Sequence, residues 1–180
     1  MTDVMVDIET LSTASNAIVL TIGAVKFNRD NTLPPLGDCD IFYSRIDIDS
    51  CKLLGMHLDS QTLDWWNTQD EKTRYEAMEN PDRQGIREVL TEFSKWFGSS
   101  KYIWGHGDDF DCVILGNAYT ACKLKSPWKF WNTRDTRTLF DLANVHVNDI
   151  PVEEAHHALH DAYRQVKCTK IAIEKLGCTI

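Results

Sequence analysis

"VMVDIET", residues 4–10, is the stretch on which the fold turns. Val4, Val6 and Ile8 alternate with Met5, Asp7 and Glu9, the period of two that a β-strand imposes. One face can enter a core while the other sets two carboxylates side by side. Adjacent carboxylates repel, and desolvating them without a counter-charge is costly. The pair therefore marks either a solvated strand end or a polar cleft that takes a divalent cation, and distant segments must decide which.

Working outward, residues 3–9, 18–27 and 39–46 are rich in Val, Ile, Phe and Tyr and are separated by polar or Pro-Gly stretches such as "TLPPLGD". This predicts three consecutive strands whose short links favour an antiparallel meander. "DSQTLDWWNTQ" then offers Asp59 or Ser60 as the cap of a helix. "NPDRQGIREVLTEFSKWFG" predicts another, with Asn80 as cap, Pro81 at its first position and Gly98 as its stop. In that segment Ile86, Val89, Leu90, Phe93, Trp96 and Phe97 recur at helical spacing and form one apolar face.

"KYIWG" reads as a further strand, followed by a helix over roughly 109–122 and a short aromatic segment, "WKFW". A helix through "TRTLFDLAN" and a terminal helix ending near Gly177 complete the chain. Three strands followed by alternating helix and strand predict an α/β fold: a mixed sheet, antiparallel over strands 1–3 and then parallel, flanked by helices. The chain has 180 residues, 43% of them hydrophobic, and no repeat or linker, so one domain over 1–180 is expected.

The formal charge of −8 argues against binding polyanions through bulk electrostatics. A nucleic-acid partner would have to be gripped locally, with metal ions. Cys39, Cys51, Cys112, Cys122, Cys168 and Cys178 form no CxxC pair and read as reduced, structural thiols. The chain enters a strand pattern at once, without a leader pattern or an apolar run long enough for a bilayer, so a soluble cytoplasmic protein with no membrane partner is expected.

Two more groups bear on Asp7 and Glu9. In "GHGDDFDCVIL", Gly105 and Gly107 form a turn after a strand, and Asp108, Asp109 and Asp111 enter a helix. Asp108 and Asp109 suit a helix N-terminus, whereas Asp111 lies deeper, between Phe110 and apolar Val113, Ile114 and Leu115. In "AHHALHDAYRQV", His156 and Asp161 would lie far apart around an ideal helix. If they act together, His156 must sit on the turn before it. His156 and His160 at i, i+4 would also permit a zinc reading. No cysteine ligand motif accompanies them, and a carboxylate-rich site favours Mg²⁺ or Mn²⁺.

Together these motifs resemble the DEDDh branch of the DnaQ-like 3′-to-5′ exonucleases, which have a ribonuclease H-like fold. The likeness rests on "DIET" at 7–10, "FD" at 110–111, and His156 with Asp161 five positions on, and it spans about residues 3–175. It implies that Asp7, Glu9, Asp111 and Asp161 hold two divalent ions and that His156 is the general base. It also implies that the free 3′ hydroxyl lies near the backbone of Glu9 and Thr10, with Leu11 as a wedge beside the terminal base. "TLDWWNTQ" and "RDTRTLFDLA" are similar to small bacterial and phage exoribonucleases related to the mycobacterial enzyme. His106 and Asp108-Asp109 occupy a turn where family members vary, and His160 stands where an acidic residue is frequent.

The chemistry also follows from residue types. Two cations about 3.5–4 Å apart can clamp a phosphodiester, and four carboxylates can hold them. An imidazole titrates at about 6.5 and can accept a water proton near neutral pH. Trp65, Trp66, Trp104, Trp128, Phe130 and Trp131 include candidate base-stacking groups, although aromatics mostly fill cores. Lys123, Lys125, Lys129, Arg134 and Arg137 form the best local basic cluster.

The expectation is a metal-dependent 3′-5′ exonuclease acting on single-stranded ends, RNA favoured over DNA, and releasing nucleoside 5′-monophosphates. Exposed helices and aromatics leave room for a homodimer. The alternatives are a DNA exonuclease of the same family, an HD-type nucleotide phosphohydrolase suggested by His160-Asp161, and a non-catalytic nucleic-acid-binding module.

Overall fold

Both faces of β1 (Asp3–Thr10) are covered, which is why its apolar residues alternate without leaving a solvent side. The computed structural model describes residues 2–177. β1 pairs antiparallel with β2 (Val19–Phe27), and β2 pairs antiparallel with β3 (Ile41–Arg45), as the meander predicts. Three short helices follow: α1 (Ile48–Lys52), α2 (Ser60–Asn67) and α3 (Glu71–Arg74), the last running into a π-helical turn over Tyr75–Glu79. Asp59 caps α2, its carboxylate accepting the Gln61 N–H at 3.2 Å.

Next come α4 (Ile86–Phe97), β4 (Tyr102–Gly105), α5 (Asp111–Ala121), β5 (Thr133–Asp135), α6 (Thr136–Ala143) and α7 (Ala158–Lys175). β4 and β5 add parallel to the other side of β1, giving the order β3-β2-β1-β4-β5. The sheet is thus mixed, antiparallel first and parallel afterwards, with helices on it. β1 lies at its centre.

Val4, Val6 and Ile8 face one core with Val89, Leu90 and Phe93 of α4 and Ile114 and Leu115 of α5. On the opposite face, Met5, Val25, Phe27 and Trp104 pack under Leu159, Ala162 and Val166 of α7. Each such side chain contributes about 1.5–3 kcal/mol by leaving water. That second core presses the first turns of α7 onto the sheet. The approach is possible because Gly23, the β2 partner of Asp7, has no side chain. A Cβ there would lie 2.1 Å from the Leu159 nitrogen and 2.2 Å from the Ala158 carbonyl carbon.

Two helix starts differ from expectation. α4 begins at Ile86 with Gly85 as cap, so Asn80 and Pro81 do not open it. Residues 80–85 are instead drawn along β3. Gln84 N–H donates to the Arg45 carbonyl at 3.1 Å, and the Arg83 guanidinium donates to the carbonyls of Leu20, Ile46 and Ala77. α5 begins at Asp111, leaving Asp108 and Asp109 in the preceding turn rather than in the helix. Gly98 does stop α4, at φ 58°.

Among the described residues the cysteines are free; Cys51, Cys112, Cys122 and Cys168 are buried, and Cys39 is partly buried. Cys178 lies outside the described residues. No helix among them is long and apolar enough to cross a membrane.

Candidate active site

Asp3, Asp7 and Glu9 lie on the same face of β1, but the fold treats them differently. Asp3 is fully buried and neutralised: Arg29 Nε donates to it at 2.7 Å and Trp104 Nε1 at 2.9 Å. Asp7 receives only the Gln165 side-chain amide, at 2.7 Å. Glu9 accepts no hydrogen bond among the described residues. Charge is compensated at one end of the strand and left uncompensated at the other.

α7 brings the third carboxylate. Asp161, in its first turn, is oriented by the His156 backbone N–H at 2.8 Å and by Arg164 Nη2 at 2.6 Å. One oxygen each from Asp7, Glu9 and Asp161 lie within 4.8 Å of one another. Asp111, at the start of α5, borders this trio but turns its oxygens to backbone donors. It accepts from the N–H of Ile8 at 3.3 Å and of His106 at 3.0 Å, clipping α5 to β1 and to the end of β4.

Asp7, Glu9, Asp111, Asp161 and His156 line one cleft of about 480 Å³, together with His106, Arg137, Arg164 and Gln165. Burial, and then Asp111, Glu9 and Asp161, push the Asp7 carboxyl well above its usual value, with only Gln165 opposing. Glu9 is pushed up to about 8 by burial, then by Asp161 and Asp111. Burial raises Asp111 to about 7 against the backbone N–H groups and Arg137 that lower it. Without a cation, such a cluster holds protons in place of charge. The donors are all oxygens, and Gln165 Oε1 is buried with no partner, a set that fits a hard divalent cation.

His156 sits on the turn before α7, with left-handed backbone at φ 59°. That is the placement a joint role with Asp161 requires. The strain of that conformation is of order 1–3 kcal/mol, and the His156 N–H bond to Asp161 opposes it. Its ring meets Trp65 edge to face at 5.0 Å. His157 turns away and stacks on Tyr43 at 4.6 Å, and burial, then His160, lowers its pKa. His160 faces Glu153 and His157, at 3.7 Å and 4.6 Å, so His160 and Asp161 do not form one HD-type donor set.

Of the residues expected beyond Glu9 to meet substrate, Thr10 lines an adjoining cleft and Leu11 does not. The Thr10 hydroxyl donates to the Ser12 carbonyl at 2.7 Å, and the Thr10 carbonyl accepts from Trp66 Nε1 at 2.9 Å. Leu11, expected as a wedge, is 1% exposed and belongs to the core, because the chain turns inward after β1. The adjoining cleft beside Glu9 is walled by Thr10, Thr13, Thr62, Trp65 and Phe110.

Sequence reasoning missed Gln165 and Arg164, and it placed Arg137 only in a basic cluster and His106 only in a turn, neither at the carboxylates. The first had a signal, since it stands four residues after Asp161 and shares its helical face. The aromatic candidates divide cleanly: Trp66, Trp104 and Trp128 are core, while Trp65, Phe130 and Trp131 are exposed.

Comparison with known proteins gives the context for this geometry. The family model described as the 3′-5′ exoribonuclease Rv2179c-like domain matches residues 2–173. The exodeoxyribonuclease of Enterobacteria phage T4 is 24% identical over 207 residues, covering 96% of this chain and 89% of that protein. E. coli exonuclease I in complex with a dT13 oligonucleotide superposes with a TM-score of 0.69 at 14% identity, over 98% of this chain. The chain spans only 42% of that protein's length. Cell-death related nuclease 4 gives a TM-score of 0.60 at 13% identity, over 96% of this chain and 64% of that one. These superpositions identify the fold as that of the ribonuclease H-like exonucleases, and the match across residues 2–173 identifies the chain as a member of the Rv2179c-like 3′-5′ exoribonuclease domain family.

Proposed function

We propose that this chain is a metal-dependent 3′-5′ exonuclease that shortens single-stranded nucleic acid from its 3′ end, RNA in preference to DNA, releasing nucleoside 5′-monophosphates. It would act as one cytoplasmic domain over residues 1–180. The observation that carries the reading is the trio Asp7, Glu9 and Asp161, with oxygens within 4.8 Å, beside a histidine on a left-handed turn. A protein needing only to bind nucleic acid has no use for carboxylates that oppose its own folding. The RNA preference draws on the description of the family, and the phage relative's name makes DNA the specific rival.

Two divalent cations, Mg²⁺ or Mn²⁺, held by Asp7, Glu9, Asp111 and Asp161, would supply the positive charge that makes a bound water nucleophilic and stabilises the leaving 3′ oxygen. The remaining tasks fall to the chain. Gln165 fixes the Asp7 carboxylate, and Arg164 with the His156 N–H fixes Asp161. The His156 ring, braced by Trp65, takes the proton from the attacking water at a ring nitrogen. Glu9 and the adjacent backbone of Thr10, held by Trp66, face the terminal sugar. The Arg137 guanidinium in the cleft offers a cation to a neighbouring phosphate.

The test is a product ladder from 5′-labelled RNA and DNA of equal sequence with Mg²⁺, Mn²⁺ or EDTA. Stepwise shortening from the 3′ end, faster for RNA and abolished by EDTA and by Asp7→Ala, is expected. No shortening of either polymer would refute the reading, and faster loss of DNA would reverse the preference.

A further inference from the structure

Phe130 and Trp131 are the most exposed aromatic residues described, at 81% and 58%. They meet edge to face at 4.7 Å on a short 3₁₀ turn that leads into β5, the edge strand of the sheet. A fold that buries Trp66, Trp104 and Trp128 within one-tenth exposure leaves these two in water. Exposed apolar groups rimmed by polar ones mark interaction surfaces.

The rim is cationic. Lys129 Nζ lies 5.2 Å from the centre of the Trp131 ring. Beside it, Arg134 stacks on Tyr102 at 4.1 Å and Lys101 approaches the same ring at 4.8 Å. Arg134 also donates to the carbonyls of Trp131 and Thr133, at 3.1 Å and 2.6 Å, which fixes the turn that presents the aromatic pair. Among the described residues, none of Lys101, Lys129 and Arg134 has a carboxylate within ion-pair distance. Lys101 first, and Arg134 after it, hold the Tyr102 phenol below its usual value. In a chain of charge −8 this edge is locally positive.

The strip also leads to the cleft. From Trp131 to Asp135 is four residues, at most about 14 Å of chain. Asp135 accepts the Gly107 N–H at 3.1 Å, and Arg137, two residues on, lines the cleft beside Asp7 and Asp111. In register, Met5, Trp104 and Arg134 share a sheet face, and Asp7 follows on that face two residues after Met5.

We propose that the Phe130–Trp131 pair, with Lys129, Arg134 and Lys101, holds the single-stranded nucleic acid upstream of the 3′ end that occupies the carboxylate cleft. The proposal rests on the nuclease reading for what occupies the cleft. Rings accept bases of any sequence by stacking, and cations between them follow the phosphates, the combination used by single-strand binders. A protein partner would leave three cations to be matched by acidic groups of its own, whereas a polyanion matches rings and cations together.

The test reads binding apart from cleavage. A 5′-fluorescein-labelled U or dT strand of about 12 nucleotides is titrated in EDTA and followed by anisotropy. Phe130→Ala with Trp131→Ala should weaken binding about 10- to 100-fold. Lys129→Ala should reduce the slope of log affinity against log salt by about 0.7. Metal-dependent cleavage of a dinucleotide, too short to reach the strip, should be unchanged in both variants. Unchanged strand affinity in the double variant would overturn the proposal. So would intact strand affinity with loss of self-association in sedimentation, which would make the patch an interface between copies. Failure of the nuclease reading would show separately, as absence of metal-dependent dinucleotide cleavage by the unsubstituted protein.

Discussion

Gly23→Ala tests whether the packing of α7, rather than the carboxylates alone, creates the site. The added methyl would meet backbone on α7: the Leu159 nitrogen at 2.1 Å, the Ala158 carbonyl carbon at 2.2 Å and the Ala158 oxygen at 2.6 Å. Ordinary contact begins near 3.5 Å, so helix and strand must part by more than about 1 Å. No flexible side-chain end is available to yield. Overpacking against two backbones should cost about 3 kcal/mol, or roughly 6–12 °C in Tm for a chain of this size. Because Gly23 is the register partner of Asp7, the retreat separates Asp7 from Asp161 and His156. A misplacement of about 1 Å costs on the order of 100-fold in turnover.

The assay is urea unfolding paired with kcat for a dinucleotide, measured at a temperature where circular dichroism shows the variant folded. Gly116→Ala on α5 is the control. A Cβ there meets nothing within 4 Å, so it should stabilise by about 0.5–1 kcal/mol and leave kcat alone. A Gly23→Ala protein with an unchanged urea midpoint and kcat would refute the argument.

The carboxylate cluster should oppose folding of the metal-free protein at alkaline pH. Glu9 has a folded value of about 8 against an ordinary 4.5, so the folded state binds its proton more tightly than the unfolded state does. Its favourable contribution is present below the unfolded value and is lost as pH rises through that window. Water and counter-ions in the cleft reduce the effect, so Glu9→Gln in EDTA should gain on the order of 2 kcal/mol at pH 8 and little at pH 4. Equal pH slopes for the two proteins in denaturant titrations would contradict this. His156→Ala should lower kcat by about 10²–10⁴-fold with KM and Mn²⁺ affinity little changed. His157→Ala, which removes the stack on Tyr43, should cost stability more than turnover; the reverse order of damage in steady-state kinetics would reassign the base.

Local rules made much of this readable. Alternation in "VMVDIET" placed Asp7 and Glu9 together because β1 is regular, and the buried position of Asp111 among apolar neighbours separated it from Asp108 and Asp109. His156 was legible through an angular argument: no helix brings it to Asp161, so a turn had to. Tertiary pairing hid the rest. Asn80-Pro81 carries every local mark of a helix start, but Gln84 finds a backbone partner on β3 and Arg83 finds three carbonyls, which outweigh a cap. β5 reads "TRD" and has no apolar alternation; its extended form comes from β4 beside it. Leu11 looks available by analogy, and only the inward turn after Thr10 reveals it as core. Arg137 reaches the cleft by lying over Gly107, a contact between segments that no spacing rule connects.

The central place of β1 divides the site by mobility. Asp7 and Glu9 project from a strand that β2 bonds along its length and that β4 bonds over Asp3–Met5, with the Asp111 carboxylate taking the Ile8 N–H, so its amides should be among the slowest to exchange with solvent. His156 belongs to a strained turn held by its N–H bond to Asp161, the Trp65 and Tyr43 ring contacts and the Lys72–Glu154 ion pair, none of them a sheet bond, so it can open while the sheet stays intact. Hydrogen exchange should therefore find a rigid floor of ligands beneath a hinged base. Changes confined to residues 153–157 could alter how often the base is in position while Asp7 and Glu9 stay held by the sheet, so turnover is adjustable with Asp161 the one carboxylate that shares the turn's hydrogen bond.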